Sequence, residues 1–141
     1  MKILVLHGPN MNLIGLRSAK SGTHVTLDKI DRALRRQVRN RETSLKILQT
    51  HDEAKAVTFL HRNRNLADGL LISPESWHTG AFTLADTLSL INIPFITVSF
   101  KKPKATLFHG IHAVVNDDPV AAYEKAIVEM KRFLDGKDSK I

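Results

Sequence analysis

The sequence predicts an α/β fold, a doubly wound five-stranded parallel sheet with helices on both faces. Short apolar segments without polar alternation, typical of strands buried on both faces, alternate along the chain with longer segments of helical periodicity. The length of 141 residues suits a single domain, and the flavodoxin-like strand order 2-1-3-4-5 suits that size. We expect one domain at residues 1–134, followed by a frayed tail at residues 135–141.

The first strand is the apolar segment Ile3–Leu6. Gly8-Pro9-Asn10 is turn chemistry and ends it, so the chain leaves a central strand at its carboxyl end, the edge at which open α/β sheets bind ligands. The small and polar residues from Ser18 to His24 predict a mobile surface loop. Thr26 is the predicted N-cap of the first helix, whose apolar residues recur at helical spacing through Val38.

The middle of the chain repeats this alternation. Ser44–Gln49 is predicted as the second strand, and residues 52–64 as the second helix. The third strand, Gly69–Ile72, is again wholly apolar and stops at Ser73-Pro74. A third helix is predicted at residues 81–91, with Phe82, Leu84, Leu88 and Ile91 as its buried stripe.

The last third of the chain completes the sheet. A fourth strand is predicted at residues 93–100, with its proline near the strand entry, and a weaker fifth strand at His112–Val115. The final helix begins at Asp118-Pro119, an N-cap and first-turn pair. Its apolar face continues to Leu134.

Composition indicates a globular domain. Hydrophobic residues make up 43% of the chain and charged residues 25%, no apolar run approaches the roughly eighteen residues of a membrane span, and no signal peptide is recognisable. The absence of cysteine fits a reducing compartment. We therefore expect a cytoplasmic protein that does not span a membrane.

The formal net charge of +7 raises the question of nucleic-acid binding. The basic residues concentrate on the first predicted helix and in one later loop, and no aromatic side chains lie between the arginines to stack bases. We favour a solvated helix face and a basic loop. The helical group is Lys29, Arg32, Arg35, Arg36, Arg39 and Arg41, and the loop group is Lys101, Lys102 and Lys104.

Motifs for several common chemistries are missing. Of the seven histidines only His109 and His112 are near neighbours, without a carboxylate between them, so we expect no metal site. The sequence contains neither a G-x-x-x-x-G-K-[ST] nor a G-x-G-x-x-G segment, which argues against a nucleotide-phosphate site. It also lacks the G-x-S-x-G segment of serine hydrolases. We expect no cofactor.

Several segments together carry a family resemblance that covers nearly the whole chain. His7–Arg17 matches N-G-P-N-L-N-x-L-G-x-R at almost every position, and Ile93–Ser99 resembles I-P-x-I-E-V-H. These motifs resemble those of the type II 3-dehydroquinate dehydratases, flavodoxin-like enzymes that assemble as dodecamers built from trimers. The further matches are Gln49–Glu53 to Q-S-N-x-E, Phe59–His61 to W-I-H, and Leu71–Pro74 with Leu84–Asp86 to I-N-P…L-R-D.

The resemblance implies dehydration of 3-dehydroquinate in the shikimate pathway. In the family, an arginine on a lid loop lowers the pKa of a tyrosine, whose phenolate removes the C2 proton to give an enolate. A histidine oriented by a glutamate then protonates the departing hydroxyl. The resemblance assigns Arg17 to the lid arginine and Asn10 to the asparagine that helps to hold the reacting centre.

At the remaining catalytic positions the sequence departs from the family. The tyrosine position is Gly22, and the only tyrosine of the chain, Tyr123, lies on the last predicted helix. The glutamate and histidine positions of I-P-x-I-E-V-H are Thr97 and Ser99. Because a positioned acid or base contributes about 10²–10⁴-fold, losing both removes roughly 10⁴–10⁸-fold. His24, two residues past the missing tyrosine, is a candidate substitute base.

The substrate-binding positions are altered as well. The family's carboxylate-binding asparagine corresponds to Ser73 and the histidine of its T-H-T to Thr79, whereas Asp86, which in the family reaches toward a neighbouring subunit's site, is retained. We assign Ser99 to substrate binding. His78, next to Thr79, is a candidate acid.

A longer family loop that carries a substrate-binding arginine is replaced by Phe100–Lys104. We therefore assign Phe100 and Lys101 to substrate binding, with Lys102 as an alternative to Lys101.

Three functions follow as hypotheses. The first is a dehydratase of 3-dehydroquinate whose activity is weak, altered or lost. The second is a non-catalytic relative, or pseudoenzyme, that keeps the trimer-based, dodecameric scaffold and binds a small cyclic carboxylate. The third, placed last, is a nucleic-acid-binding protein with a basic surface.

Overall fold

The computed structural model of the protein describes residues 1–20, 22, 24–39 and 42–138. Within them, five strands form one parallel sheet in the order second, first, third, fourth, fifth, which confirms the predicted fold class and strand order. The strands are β1 (Lys2–His7), β2 (Ser44–Gln49), β3 (Gly69–Ser73), β4 (Phe95–Ser99) and β5 (His112–Val115).

Five α-helices cover the sheet in the described residues, where the sequence predicted four. They are α1 (Ile14–Lys20), α2 (Leu27–Gln37), α3 (Glu53–Asn63), α4 (Phe82–Ile91) and α5 (Pro119–Asp138). Helix α5 continues past the predicted end at Leu134, while residues 139–141 of the predicted tail lie outside the described residues.

The capping residues explain where the helices begin. The Thr26 hydroxyl accepts a hydrogen bond from the Lys29 amide at 3.3 Å, and Asp52 accepts from the amide of Ala54 at 2.9 Å. Asp118 caps α5 by accepting from the amide of Val120 at 3.1 Å. Each cap satisfies amides that the first helical turn leaves without a partner, so the predicted start sites of α2 and α5 are confirmed.

Alternation along β1 divides the core into two layers. Ile3 and Val5 pack with α2 and α5 on one face of the sheet, whereas Leu4 and Leu6 pack with α3 and α4 on the other. All four side chains are fully buried, as expected of a central parallel strand covered on both faces. The carboxyl edge of this rigid sheet carries the polar side chains described next.

The helix α1 corrects one prediction. Residues Ser18–Lys20, expected in a mobile loop, form the end of this helix, and Ser18 is buried. Its hydroxyl accepts from the Val25 amide at 2.7 Å and donates to the Val25 carbonyl at 2.8 Å. These two bonds tie the end of α1 to the residue that precedes α2. The predicted loop residues Ser21 and Thr23 lie outside the described residues.

Candidate functional site

A cavity of about 890 Å³ opens at the carboxyl edge of the sheet. Its wall includes Ser99 at the end of β4, the segment 100–105 that follows, and Glu75, His78 and Thr79 from a 3-10 helix after β3. Helix α1 and the start of α5 complete it. Elements that follow β1, β3 and β4 therefore meet in one place, which is where open parallel sheets hold their ligands.

An ion pair crosses the mouth of this cavity. Arg17 on α1 donates to the carboxylate of Glu75 at 2.6 Å. Glu75 has a φ of 52°, in the left-handed region that a residue with a Cβ rarely adopts. Such a conformation costs on the order of 1–3 kcal/mol and tends to occur at functional sites. The carboxylate of Glu75 lies against Arg17 and offsets part of the positive charge of the cavity lining.

His78 lies in the cavity wall between two hydroxyl groups. Its Nε2 is 3.1 Å from the Ser99 hydroxyl and its Nδ1 is 2.6 Å from the Thr106 hydroxyl. The Thr106 oxygen also accepts from the Phe108 amide at 3.0 Å, which fixes it. Burial lowers the pKa of His78 below its ordinary value, and the negative charge of Glu75 opposes that shift only in part. The imidazole is therefore neutral at pH 7, so one of its two hydrogen-bonded nitrogens carries no proton and can accept one.

A second polar cluster is sealed beneath the sheet edge. His7, Ser73 and Tyr123 are each 0% exposed. The Tyr123 hydroxyl is hydrogen-bonded to Ser73 and, at 3.0 Å, to His7 Nδ1. The other ring nitrogen of His7 lies 2.8 Å from Asp31. We call these four residues the sealed network, in which the Asp31 side chain is the partly exposed member.

Burial raises the pKa of Tyr123 far above its ordinary value. The negative charges of Glu75 and Asp31 raise it further, whereas the hydrogen bond from Ser73 opposes the shift. The ring packs against Phe100 at a centroid distance of 6.2 Å. Tyr123 is therefore a neutral phenol at physiological pH.

Gly8 explains how Ser73 comes to lie in the sealed network. The Gly8 amide donates to the Ser73 carbonyl at 2.9 Å, which joins the ends of β1 and β3. A Cβ at Gly8 would collide with that carbonyl oxygen. Glycine thus permits the close approach of the two strands.

The structure brings together seven of the residues that the sequence nominated for function. These residues come from distant parts of the sequence, since Arg17 follows β1 and Ser99 ends β4. All seven line the same cavity: Arg17, His78, Thr79, Ser99, Phe100, Lys101 and Lys102.

Four other nominated residues are not among the described residues that line the cavity. Asn10 is exposed in the turn after β1, and its amide donates to His51 at 3.0 Å. His24 is exposed before α2, and Asp86 is exposed on α4. Ser73 is fully buried under Tyr123 and offers no hydroxyl to a ligand.

Some residues at the cavity escaped prediction from the sequence. Lys20 and Asp117 line it, yet neither belongs to a recognisable motif. His78 was nominated only because it neighbours Thr79, and its partners lie 21 and 28 residues away in the chain. No local sequence signal announces such a contact.

The described residues contain neither a candidate metal cluster nor a helix that could span a membrane. No group of three or more His, Asp or Glu side chains in this part of the chain is arranged to hold a metal ion. Among the same residues no helix combines the length and apolar character needed to cross a membrane.

The chain matches known proteins along most of its length. The family model described as dehydroquinase class II matches residues 1–126. A 3-dehydroquinate dehydratase of Stenotrophomonas maltophilia is 34% identical over 122 residues, which cover 84% of this chain and 80% of the relative. One of Trichodesmium erythraeum is 36% identical over 96 residues, 68% of this chain, and the match spans only 64% of that relative.

A solved structure shares the fold. The type II dehydroquinase from Butyrivibrio crossotus superposes with a TM-score of 0.79 at 18% sequence identity. The superposition covers 93% of this chain and 97% of that one. At this identity the likeness concerns the fold alone.

Proposed function

The chain belongs to the class II dehydroquinase family, and from this premise we propose that it binds a small cyclic carboxylate in the cavity at the sheet edge without the tyrosine-dependent dehydration of the family. The proposal separates two properties, binding and chemistry. The cavity residues support the first, and the position of the tyrosine argues against the second.

The complete burial of Tyr123 is the observation that supports the proposal most directly. The chain has one tyrosine, and Tyr123 is 0% exposed with its hydroxyl engaged by Ser73 and His7. Its raised pKa keeps it protonated, whereas the resemblance calls for a phenolate beside Arg17. Because a positioned base contributes about 10²–10⁴-fold, its loss raises the barrier by about 3–5 kcal/mol.

The lining of the cavity suits a ring that carries a carboxylate. Ile14, Phe100 and Pro103 supply apolar surface, and Arg17 and Lys101 supply positive charge. The volume of about 890 Å³ lies in the usual range for small-molecule sites.

A second candidate function is a slow dehydration supported by His78. The resemblance expects the acid at the position of Ser99, and here the Ser99 hydroxyl lies 3.1 Å from His78 Nε2. A neutral imidazole held on its other side by Thr106 is a suitable general base. In this case His78 removes the C2 proton of the ligand through the Ser99 hydroxyl, and the resulting imidazolium returns a proton to the departing hydroxyl by the same route, so that water leaves.

Two measurements separate these functions. Thermal unfolding with shikimate tests binding, since a ligand of the native state raises the melting temperature. Conjugated-enone absorbance from 3-dehydroquinate at high protein concentration tests turnover. A melting shift without enone supports the first proposal, and no shift with shikimate or quinate contradicts it.

Enone formation supports the second candidate only if it depends on His78. We then expect His78→Gln to lower the rate by about 10²-fold or more, while His61→Gln, on an exposed residue of α3, leaves the rate unchanged. Equal rates in both variants overturn a role for His78.

A further inference from the structure

The charge of the cavity points to a ligand with more than one negative group. We propose that the cavity takes a small organic dianion, a phosphate monoester or a dicarboxylate, in preference to a monocarboxylate. The proposal rests on the proposed function, because it assumes that the cavity is a ligand site, and it adds the class of ligand.

Two separate elements bring cations to the cavity. Helix α1 contributes Arg17 and Lys20, and the segment after β4 contributes Lys101, Lys102 and Lys104. Glu75 and Asp117 are the carboxylates among the described residues that line it. Since the pKa of His78 is lowered and its ring is neutral at pH 7, five cations face two anions, an excess of three positive charges.

Most of this charge has no internal partner. Glu75 pairs with Arg17 at 2.6 Å. Within the described residues, by contrast, the four lysines of the cavity form no ion pair. Like charges held at the wall of one concave site raise its potential and concentrate anions there. A single carboxylate would balance only one of the three excess charges.

The cation excess comes from side chains rather than from a helix end. Pro119, the first residue of α5, borders the cavity and has no N–H to offer. The next two amides, of Val120 and Ala121, already donate to Asp118 at 3.1 and 3.3 Å. The recognition of the second anionic group therefore falls to the lysines.

The experiment compares ring compounds that differ in charge. Calorimetric titration of the full chain at low salt would use cyclohexanecarboxylate, cyclohexane-1,3-dicarboxylate and cyclohexyl phosphate. We expect at least one of the two dianions to bind tenfold or more tightly than the monoanion, and to weaken steeply as sodium chloride rises. The two dianions differ in their anionic group, so the tighter one identifies a phosphate or a dicarboxylate ligand.

Two variants of equal net charge test the lysines. K101Q/K102Q should abolish the preference for the dianion, whereas K55Q/K125Q, on exposed lysines of α3 and α5 outside the cavity lining, should keep it. A preference below tenfold, or equal loss in both variants, overturns the dianion proposal, and with the monoanion still bound the proposed function stands. Absence of binding by all three compounds overturns both. Binding of single-stranded DNA or RNA in their place would also overturn both, in favour of a nucleic-acid surface.

Discussion

His7 and His78 lie beside the same edge of the sheet, yet their surroundings differ. His7 is 0% exposed and lies between Asp31 and Tyr123, while His78 lies in a cavity wall between Thr106 and Ser99. Both imidazoles have partners for their two nitrogens. Of the two, His78 lies in the cavity lining together with its partner Ser99.

The difference shows that a hydrogen-bonded histidine is not by itself a functional one. Each buried side-chain nitrogen and oxygen of the described residues has a hydrogen-bond partner. Both clusters therefore meet the condition under which polar side chains are buried in a protein core. The sealed network serves stability, and the pair formed by His78 and Ser99 is available for function.

The largest effect is expected from Tyr123→Phe. It leaves the Ser73 hydroxyl and His7 Nδ1 without their buried partner, which should lower the free energy of unfolding by about 1–3 kcal/mol. Urea denaturation measures the loss, and anion affinity should stay the same because the hydroxyl does not reach the cavity.

The matched variant is Ser99→Ala, which also removes a hydroxyl from a histidine, but at the cavity wall. Its cost in stability should be smaller, since water can replace the lost partner. If Ser99→Ala lowers the free energy of unfolding more than Tyr123→Phe does, the pair formed by His78 and Ser99, and not the sealed network, serves stability.

The second effect is a pH dependence that belongs to His78. Because the pKa of His78 is lowered in the native state, the unfolded chain binds more protons just below its unfolded pKa of about 6.5. The stability that this group contributes is present above that pH and is lost as pH falls toward the lower native pKa. Urea midpoints measured from neutral pH downward should therefore fall less in His78→Gln than in the wild type. Parallel curves would show that His78 is not buried as described.

The smallest effect concerns the ion pair at the cavity mouth. Glu75→Gln removes a negative charge and releases Arg17 from its 2.6 Å contact. Anion affinity should rise by up to about fivefold, the range of an exposed ion pair of at most about 1 kcal/mol. Calorimetry with cyclohexane-1,3-dicarboxylate measures it, with Glu124→Gln, outside the cavity lining, as the charge control. An equal gain in the control would assign the effect to net charge alone.

The sheet could be predicted from the sequence because the signals for each strand and helix lie within a few neighbouring residues. The wholly apolar strands β1 and β3 and the caps Thr26 and Asp118 each announce their element within a few residues. Helix α1 was missed because it has only seven residues and one of its buried side chains, Ser18, depends on a contact with Val25 beyond the helix end.

The site was predicted only in part, because several of its contacts join residues that are far apart in the sequence. Arg17 and Ser99 were placed by motif position and do meet at one cavity. The sealing of Ser73 by Tyr123 joins residues 50 positions apart, and the link from His7 to Tyr123 spans 116. Such pairings arise from packing across the sheet and leave no local signal in the sequence. Ser73, which the sequence nominated as a ligand contact, is for this reason part of the buried core.

We infer that no phenol serves the cavity, and the single tyrosine of the chain makes this inference measurable. Tyrosinate absorbance would be recorded while the folded state is followed by circular dichroism as pH rises. Because the pKa of Tyr123 is raised, the stability it contributes is present below the unfolded pKa of about 10 and is lost above it. We predict no tyrosinate in the folded protein at about pH 10, with ionisation only as the chain unfolds. Tyrosinate that forms in the folded protein at or below that pH would contradict it.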